Sequence, residues 1–167
     1  MDITKQYIAG FFDGEGSIGI YKNSAPKQPG FFLRTQLTQN KNNEIKKLMD
    51  YLVLKYGGNL SEQRTLSQGV KYNWQLGSDK AVLFLEDMSP FLILKKFQAQ
   101  IAIRWQRQRP KRARNKKGQI VLKTKPNLEL DINIASIMKD LKNKDIDEVM
   151  ENAKELVKID YALKQIL

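Results

Sequence analysis

Residues 8–16 read "IAGFFDGEG". Four of these nine residues are Ala or Gly, yet the run lies in an apolar context with helical spacing: Ile3, Tyr7, Ile8, Phe11 and Phe12 recur as on one helix, and Thr4 is a candidate N-cap. The spacing predicts a helix over 3–14. Gly10 and Gly14 are four apart and share a face, and Ala9 and Asp13 form a neighbouring row. Each glycine inside a helix costs about 1 kcal/mol, so something must offset two of them. A stripe of small residues lets a second backbone approach closely, either a helix of the same chain or the same helix of a second copy. The last carbonyls of a helix lack intrahelical partners, and that end of the dipole is negative. Gly14 and Gly16 permit a sharp exit, and Glu15 sits at it. A carboxylate beside such carbonyls is a place for a hard cation completed by water and phosphate, as Mg²⁺ prefers.

Composition narrows the chemistry. The 167 residues contain no Cys and no His, which removes thiol nucleophiles, imidazole bases, Cys/His zinc sites and disulfides. Any metal must be held by oxygen. No apolar run approaches the roughly 20 residues that span a bilayer, so no membrane partner is expected. The amphipathic pattern begins within the first few residues without a basic leader, so a secreted protein is not expected either. The net charge of +11 is unevenly spread: residues 88–128 carry 12 Lys/Arg and no acid, whereas residues 129–167 carry 6 Lys/Arg against 9 Asp/Glu. A long acid-free basic stretch indicates contact with an anionic polymer.

Along the chain, strands are expected at 17–23 and 31–39, with a Pro/Gly loop at 24–30 between them. A helix over 42–56 ends at Gly57-Gly58. A hairpin follows over 59–66 and 70–77. Ser78 or Asp79 caps a helix to residue 88, and Pro90 opens a longer helix to about 106. Residues 107–127 form a basic loop, and 129–141 and 145–166 read as amphipathic helices. Strand pairs punctuated by helices indicate an α+β fold on an antiparallel sheet, with a helical C-terminal tail.

The strands have two distinct faces. Arg34, Gln36 and Thr38 alternate with apolar residues on one strand, and Lys71, Asn73 and Gln75 with Tyr72, Trp74 and Leu76 on another. Arg, Asn and Gln are the side chains that read base edges in the major groove. Tyr21, Asn23 and Gln63 join them as candidate DNA contacts. Arg109, Lys111, Arg112, Arg114, Lys116 and Lys117 of the basic loop would hold phosphates.

Taken together, these motifs resemble those of the LAGLIDADG homing endonucleases. The stretch 8–16 matches the signature at Ala9, Gly10, Asp13 and Gly16, the αββαββα order agrees, and "PFLILKKFQAQIA" (90–102) resembles the family's Pro-Phe-Leu…Lys…Gln-Ala segment. The resemblance covers roughly residues 5–106 of one endonuclease domain spanning 1–167. It implies that the four-stranded sheet binds DNA. It also implies that Glu15 and the Gly14 carbonyl hold the metal, that Lys95 stabilises phosphate charge, and that Gln39 orders water. Asp13 would cap a neighbouring helix. Asn43 stands where the family sometimes has a basic residue, which leaves that role open.

One motif copy is half a site, so the resemblance implies a C2 homodimer through the 7–14 helix, with Tyr7, Ala9, Gly10, Phe11, Asp13 and Gly14 at the interface. The partner is then double-stranded DNA with a long pseudo-palindromic target. Each strand would be cut once by hydrolysis that uses Mg²⁺. Mn²⁺ could substitute, and Ca²⁺ could bind without supporting cleavage. A group I intron of an organellar (chloroplast or mitochondrial) or microbial genome is the expected host, which places the protein in an organelle or a microbial cytoplasm. Three alternatives remain at this level: a maturase acting on intron RNA, a DNA-binding regulator that has lost catalysis, and a structural RNA-binding protein.

Overall fold

The computed structural model describes residues 3–23, 30–65, 69–109 and 125–159. The elements run α1 (Lys5–Glu15), β1 (Gly16–Lys22), β2 (Phe31–Asn40), α2 (Asn43–Tyr56), β3 (Asn59–Thr65), β4 (Gly69–Gly77), α3 (Ser78–Met88), α4 (Lys96–Gln108), α5 (Lys125–Asp140) and α6 (Ile146–Ile159). The four strands form one antiparallel sheet in the order β1-β2-β4-β3. The α+β architecture is the expected one, with helices α1 to α4 packed on the sheet.

Local signals act largely as read. Thr4 Oγ1 accepts the amide of Tyr7 at the start of α1. Asn42, expected inside the second helix, is instead its N-cap, and its Oδ1 accepts the amide of Ile45. Gly57 (φ +72°) and Gly58 (φ +95°) turn α2 into β3, a backbone path that side chains resist. Two expectations fail here. Neither Ser78 nor Asp79 caps α3: Gly77 holds the cap position with no side-chain bond, and Ser78, the first residue of α3, has a left-handed φ of +49°. Nor does Pro90 open α4. Residues 89–95 make a turn, and the helix begins at Lys96, because the amides before it are drawn to a carboxylate on α1.

Alternation along β1, β2 and β4 buries Ile18, Ile20, Phe31, Leu33, Leu37, Tyr72, Trp74 and Leu76 toward the helices. Phe84 of α3 sits at the centre, edge-on to Phe12, Tyr56 and Trp74 with ring centroids 5.0–5.2 Å away. Asp87 ties α1 to α2 and α3, accepting from Lys5 Nζ and, at 2.6 Å, from Tyr56 Oη. Burial would raise its carboxyl, but these donors outweigh that and hold it below its ordinary value.

The C-terminal helices are more than a tail. Ile134, Ile137, Met138 and Leu141 of α5 and the adjoining turn, with Val149 and Ala153 of α6, join the core cluster of the sheet and α1. Helix α5 lies against β1, the edge strand. Two buried bonds pin it to α4: Trp105 Nε1 donates to Asp131 Oδ1 at 2.9 Å, and Gln98 Nε2 donates to the Leu141 carbonyl at 2.7 Å.

Candidate active site and DNA-facing surface

The two neighbouring small-residue rows of α1 differ in burial. Ala9 and Asp13 are buried within the chain, so neither is available as the expected surface for a second copy. Gly10 and Gly14 are exposed, and a Cβ built on either meets nothing within 4 Å. No contact among the described residues therefore needs a glycine there. Tyr7, half exposed, stacks on Phe11 along the same outer face, with centroids 6.2 Å apart. Gly16 is required for a different reason. Its φ of −80° is ordinary, but any side chain would run into the Phe12 ring.

Asp13 is the structural pivot of the site. Its Oδ2 accepts the amides of Ile93 (2.7 Å) and Leu94 (3.2 Å), and its Oδ1 accepts that of Lys95 (2.9 Å). One carboxylate thus satisfies three donors ahead of α4, whose cap residue Lys95 has no side-chain cap bond of its own. The same contact delivers the Lys95 side chain: its Nζ donates to the main-chain carbonyl of Asp13. Burial pulls the Lys95 pKa below its usual value, and the nearby Asp13 and Glu15 carboxylates oppose that without cancelling it.

Glu15 is exposed at the end of α1, beside exposed Gly14. The oxygen donors here fit a hard cation: one carboxylate, plus a carbonyl from a helix end without intrahelical partners. No group of three or more acidic, His or Cys side chains occurs among the described residues. Gln39 lies on the helix-facing side of β2, two residues beyond Leu37, which pairs with Gly16 at the exit of α1. Its Oε1 accepts the Asn40 amide at 2.8 Å, which leaves the NH₂ as the donor end.

The opposite face of the sheet gathers the other candidates. Register aligns Ser17, Gln36, Gln75 and Asn59 in one row, Thr38, Asn73 and Ser61 in the next, and Asn40, Lys71 and Gln63 in a third. Arg34 stands over Tyr21 (5.2 Å) and Phe32 (5.0 Å), so its guanidinium is preoriented by two rings. Asn73 departs from expectation. It is 3% exposed, and its Oδ1 accepts the Thr38 hydroxyl at 3.3 Å, so it braces the face instead of presenting itself. Asn23, whose amide bonds the Gly30 carbonyl at 2.8 Å, flanks the β1 end. Asn40, Asn59 and Ser61 share this face: the expected strand stopped at Gln39, one residue short of Asn40, and the β3–β4 register that aligns Asn59 and Ser61 is invisible in the sequence.

Helix α4 runs further than expected, to Gln108. Arg107 is in α4 and pairs with Glu86 at 2.6 Å, and Arg109 lies over the Trp105 ring at 4.2 Å. Lys111, Arg112, Arg114, Lys116 and Lys117 fall outside the described residues.

No family model matches the chain, and no curated protein matches it by sequence. Solved structures do. The homing endonuclease I-CvuI in complex with its target, in the presence of Ca, superposes with a TM-score of 0.62 at 17% identity, over 91% of this chain and 93% of that one. The archaeal intron-encoded homing endonuclease I-Vdi141I complexed with DNA gives 0.58 at 14% identity, over 90% and 94%. The I-SmaMI LAGLIDADG homing endonuclease bound to cleaved DNA gives 0.58 at 16% identity, over 92% of this chain and 49% of that one. At these identities the likeness is one of fold.

Proposed function

We propose that this chain, which has the LAGLIDADG homing-endonuclease fold, is a site-specific DNA endonuclease that works as a homodimer. One observation carries the reading. Asp13 binds three amides of the 93–95 turn and receives Lys95 Nζ on its carbonyl, which holds Lys95 beside the exposed end of α1 that bears Glu15. A carboxylate and a lysine at one helix end, next to a sheet face of Arg, Gln and Thr, suit phosphodiester hydrolysis on a bound duplex.

Glu15 and the Gly14 carbonyl would hold Mg²⁺, or Mn²⁺ in its place, with Ca²⁺ able to bind without supporting cleavage. Bound there, the ion would acidify water and stabilise the attacking and leaving oxygens of an in-line displacement. Lys95 offsets charge on the phosphate. The Gln39 NH₂ orients water. Arg34, Gln36, Thr38, Lys71 and Gln75 face the major groove and select the half-site. The outer face of α1, with Tyr7, Gly10, Phe11 and Gly14, packs on its copy, so two Glu15 carboxylates flank one dyad and the target is pseudo-palindromic.

The test is incubation with a randomised duplex library in Mg²⁺, beside Glu15→Gln, with sequencing of cut ends and bound DNA. One long pseudo-palindromic site, bound by both proteins and cut only by the parent chain, is the expected result. Binding of one site without cutting by either protein would overturn the nuclease reading, and no selection of any duplex would overturn DNA recognition altogether.

A further inference from the structure

One row of the sheet face that carries Gln36 and Thr38 is unlike its neighbours. Arg34 pairs across the strands with Gly19 of β1 and Gly77 of β4, so it is the only side chain of its row. The row on one side is filled by Ser17, Gln36 and Gln75, and the row on the other holds the rings of Tyr21 and Phe32. Gly19 is bare for a reason. A Cβ there would come within 2.6 Å of the Tyr21 ring, which has folded back along β1 across Gly19 and toward Arg34. The Arg34 guanidinium carbon stands 5.2 Å from the centre of that ring and 5.0 Å from the centre of Phe32. The two centroids are 6.1 Å apart, far less than the sum of those distances, so both rings lie to one side of the guanidinium. All three side chains are partly exposed. Among the described residues no carboxylate pairs with Arg34.

The chemistry of this group is specific. A guanidinium that donates to both O6 and N7 of guanine lies in the plane of that base. It then fills the groove edge of its own base pair, and rings fixed to one side of it meet the edge of the pair next along the stack. An aromatic ring satisfies no hydrogen-bonding group there. It packs instead on the 5-methyl group of thymine, the apolar feature of the major groove. Cytosine presents the same surface only when methylated at the same carbon.

We propose that Arg34, Tyr21 and Phe32 form one composite reader of a guanine and of the 5-methyl group on the adjoining pyrimidine. Each half-site then carries a guanine beside a thymine, and 5-methylcytosine replaces that thymine where unmodified cytosine does not. The proposal rests on the DNA-binding reading above and adds to it a named base step and a sensitivity to cytosine methylation. Gly19 is a positioning residue, because it leaves room for the Tyr21 ring to lie across β1.

The experiment selects duplexes from a randomised library by binding to the full chain in Ca²⁺, and then titrates the selected duplex in modified forms. The parent should return a guanine beside a thymine in each half-site, and Arg34→Gln should lose that guanine while keeping the other selected positions. Changing the G·C pair to A·T should weaken parent binding roughly 5- to 100-fold. Replacing the thymine by uracil, which lacks only the methyl group, should weaken it about fourfold per half-site. A 5-methylcytosine at that position should bind better than cytosine by a similar factor. Gly19→Ala should keep the guanine and lose most of the thymine–uracil difference, since only the far end of the Tyr21 ring has to move. Unchanged thermal midpoints confirm that the variants fold, and the uracil and methylcytosine titrations of the parent need no variant. Equal binding of the thymine and uracil duplexes overturns the composite reader, as does 5-methylcytosine binding no better than cytosine. Retention of the guanine by Arg34→Gln overturns it, and so does an undiminished thymine–uracil difference in Gly19→Ala. A selected site without a guanine–thymine step overturns it while leaving site-specific recognition standing. If the parent selects no duplex, the DNA-binding reading itself fails and the reader falls with it.

Discussion

Replacing Asp13 by Asn should destabilise the chain far more than an isosteric change usually does. Asp13 is 7% exposed and accepts three amides through two oxygens. Asn keeps one acceptor and turns an NH₂ toward the amide that loses its partner. The amides of Ile93 and Leu94 share Oδ2, so the side-chain orientation that preserves them faces the Lys95 amide with a donor. One orphaned, partly buried amide costs about 1–3 kcal/mol. The retained bonds lose their charge assistance, and the start of α4 loses a negative group worth roughly 0.3–1 kcal/mol. No acid in the first turn of α4 compensates. The total is about 3 kcal/mol, which for a chain of this size lowers the melting temperature by roughly 6–12 °C. Circular dichroism melts of the parent and Asp13→Asn at one protein concentration measure it. A midpoint within about 2 °C of the parent would refute the reasoning, because it would mean that the 93–95 turn holds without the carboxylate.

Two further substitutions separate the other duties of this region. Gly10→Ala should stabilise the isolated chain by up to about 1 kcal/mol, since helix propensity improves and the added methyl meets nothing within 4 Å. Sedimentation equilibrium should nevertheless show weaker self-association, and unchanged association would remove Gly10 from the interface. Lys95→Met should cut DNA poorly yet melt at a higher temperature than the parent at neutral pH, because burial outweighs the carboxylates that favour the ammonium. The sign follows from linkage: a lysine whose folded pKa lies below its unfolded value makes the parent gain stability as pH rises through the folded pKa toward 10.5. The advantage of Lys95→Met should therefore shrink in alkaline buffer, and an advantage that is absent at pH 7 would contradict the assigned desolvation.

The fold was legible wherever its signals are local. Thr4 and the Gly57-Gly58 pair act within a few residues of themselves, and the alternation of 31–39 and 70–77 shows which side chains share a face. What failed depends on partners remote in sequence. The pattern after Pro90 is helical in composition, but Asp13, 80 residues earlier, captures the amides of 93–95 and delays α4 to Lys96. Asn73 has the right chemistry for a base edge, yet its register opposite Thr38 buries it. The amphipathic spacing of 129–141 shows a buried stripe without showing that β1 is what covers it.

The stretch 8–16 illustrates how much one helix can carry when its rows divide the work. The inward row, Ala9 and Asp13, closes the core and sets the turn before α4. The outward row, Gly10 and Gly14, is kept bare although no described contact within the chain asks for it. A helix optimised for its own stability would place alanine or leucine there, at a gain of about 1 kcal/mol for each glycine replaced. The close approach of another backbone in the proposed homodimer would offset two such penalties on an exposed face. On the homodimer proposed above, Glu15, at the end of the same face, would meet its copy across the contact that the glycines allow. On that reading assembly and chemistry are tied to one helix, and a chain that lost the proposed contact would keep its fold while holding half of a site.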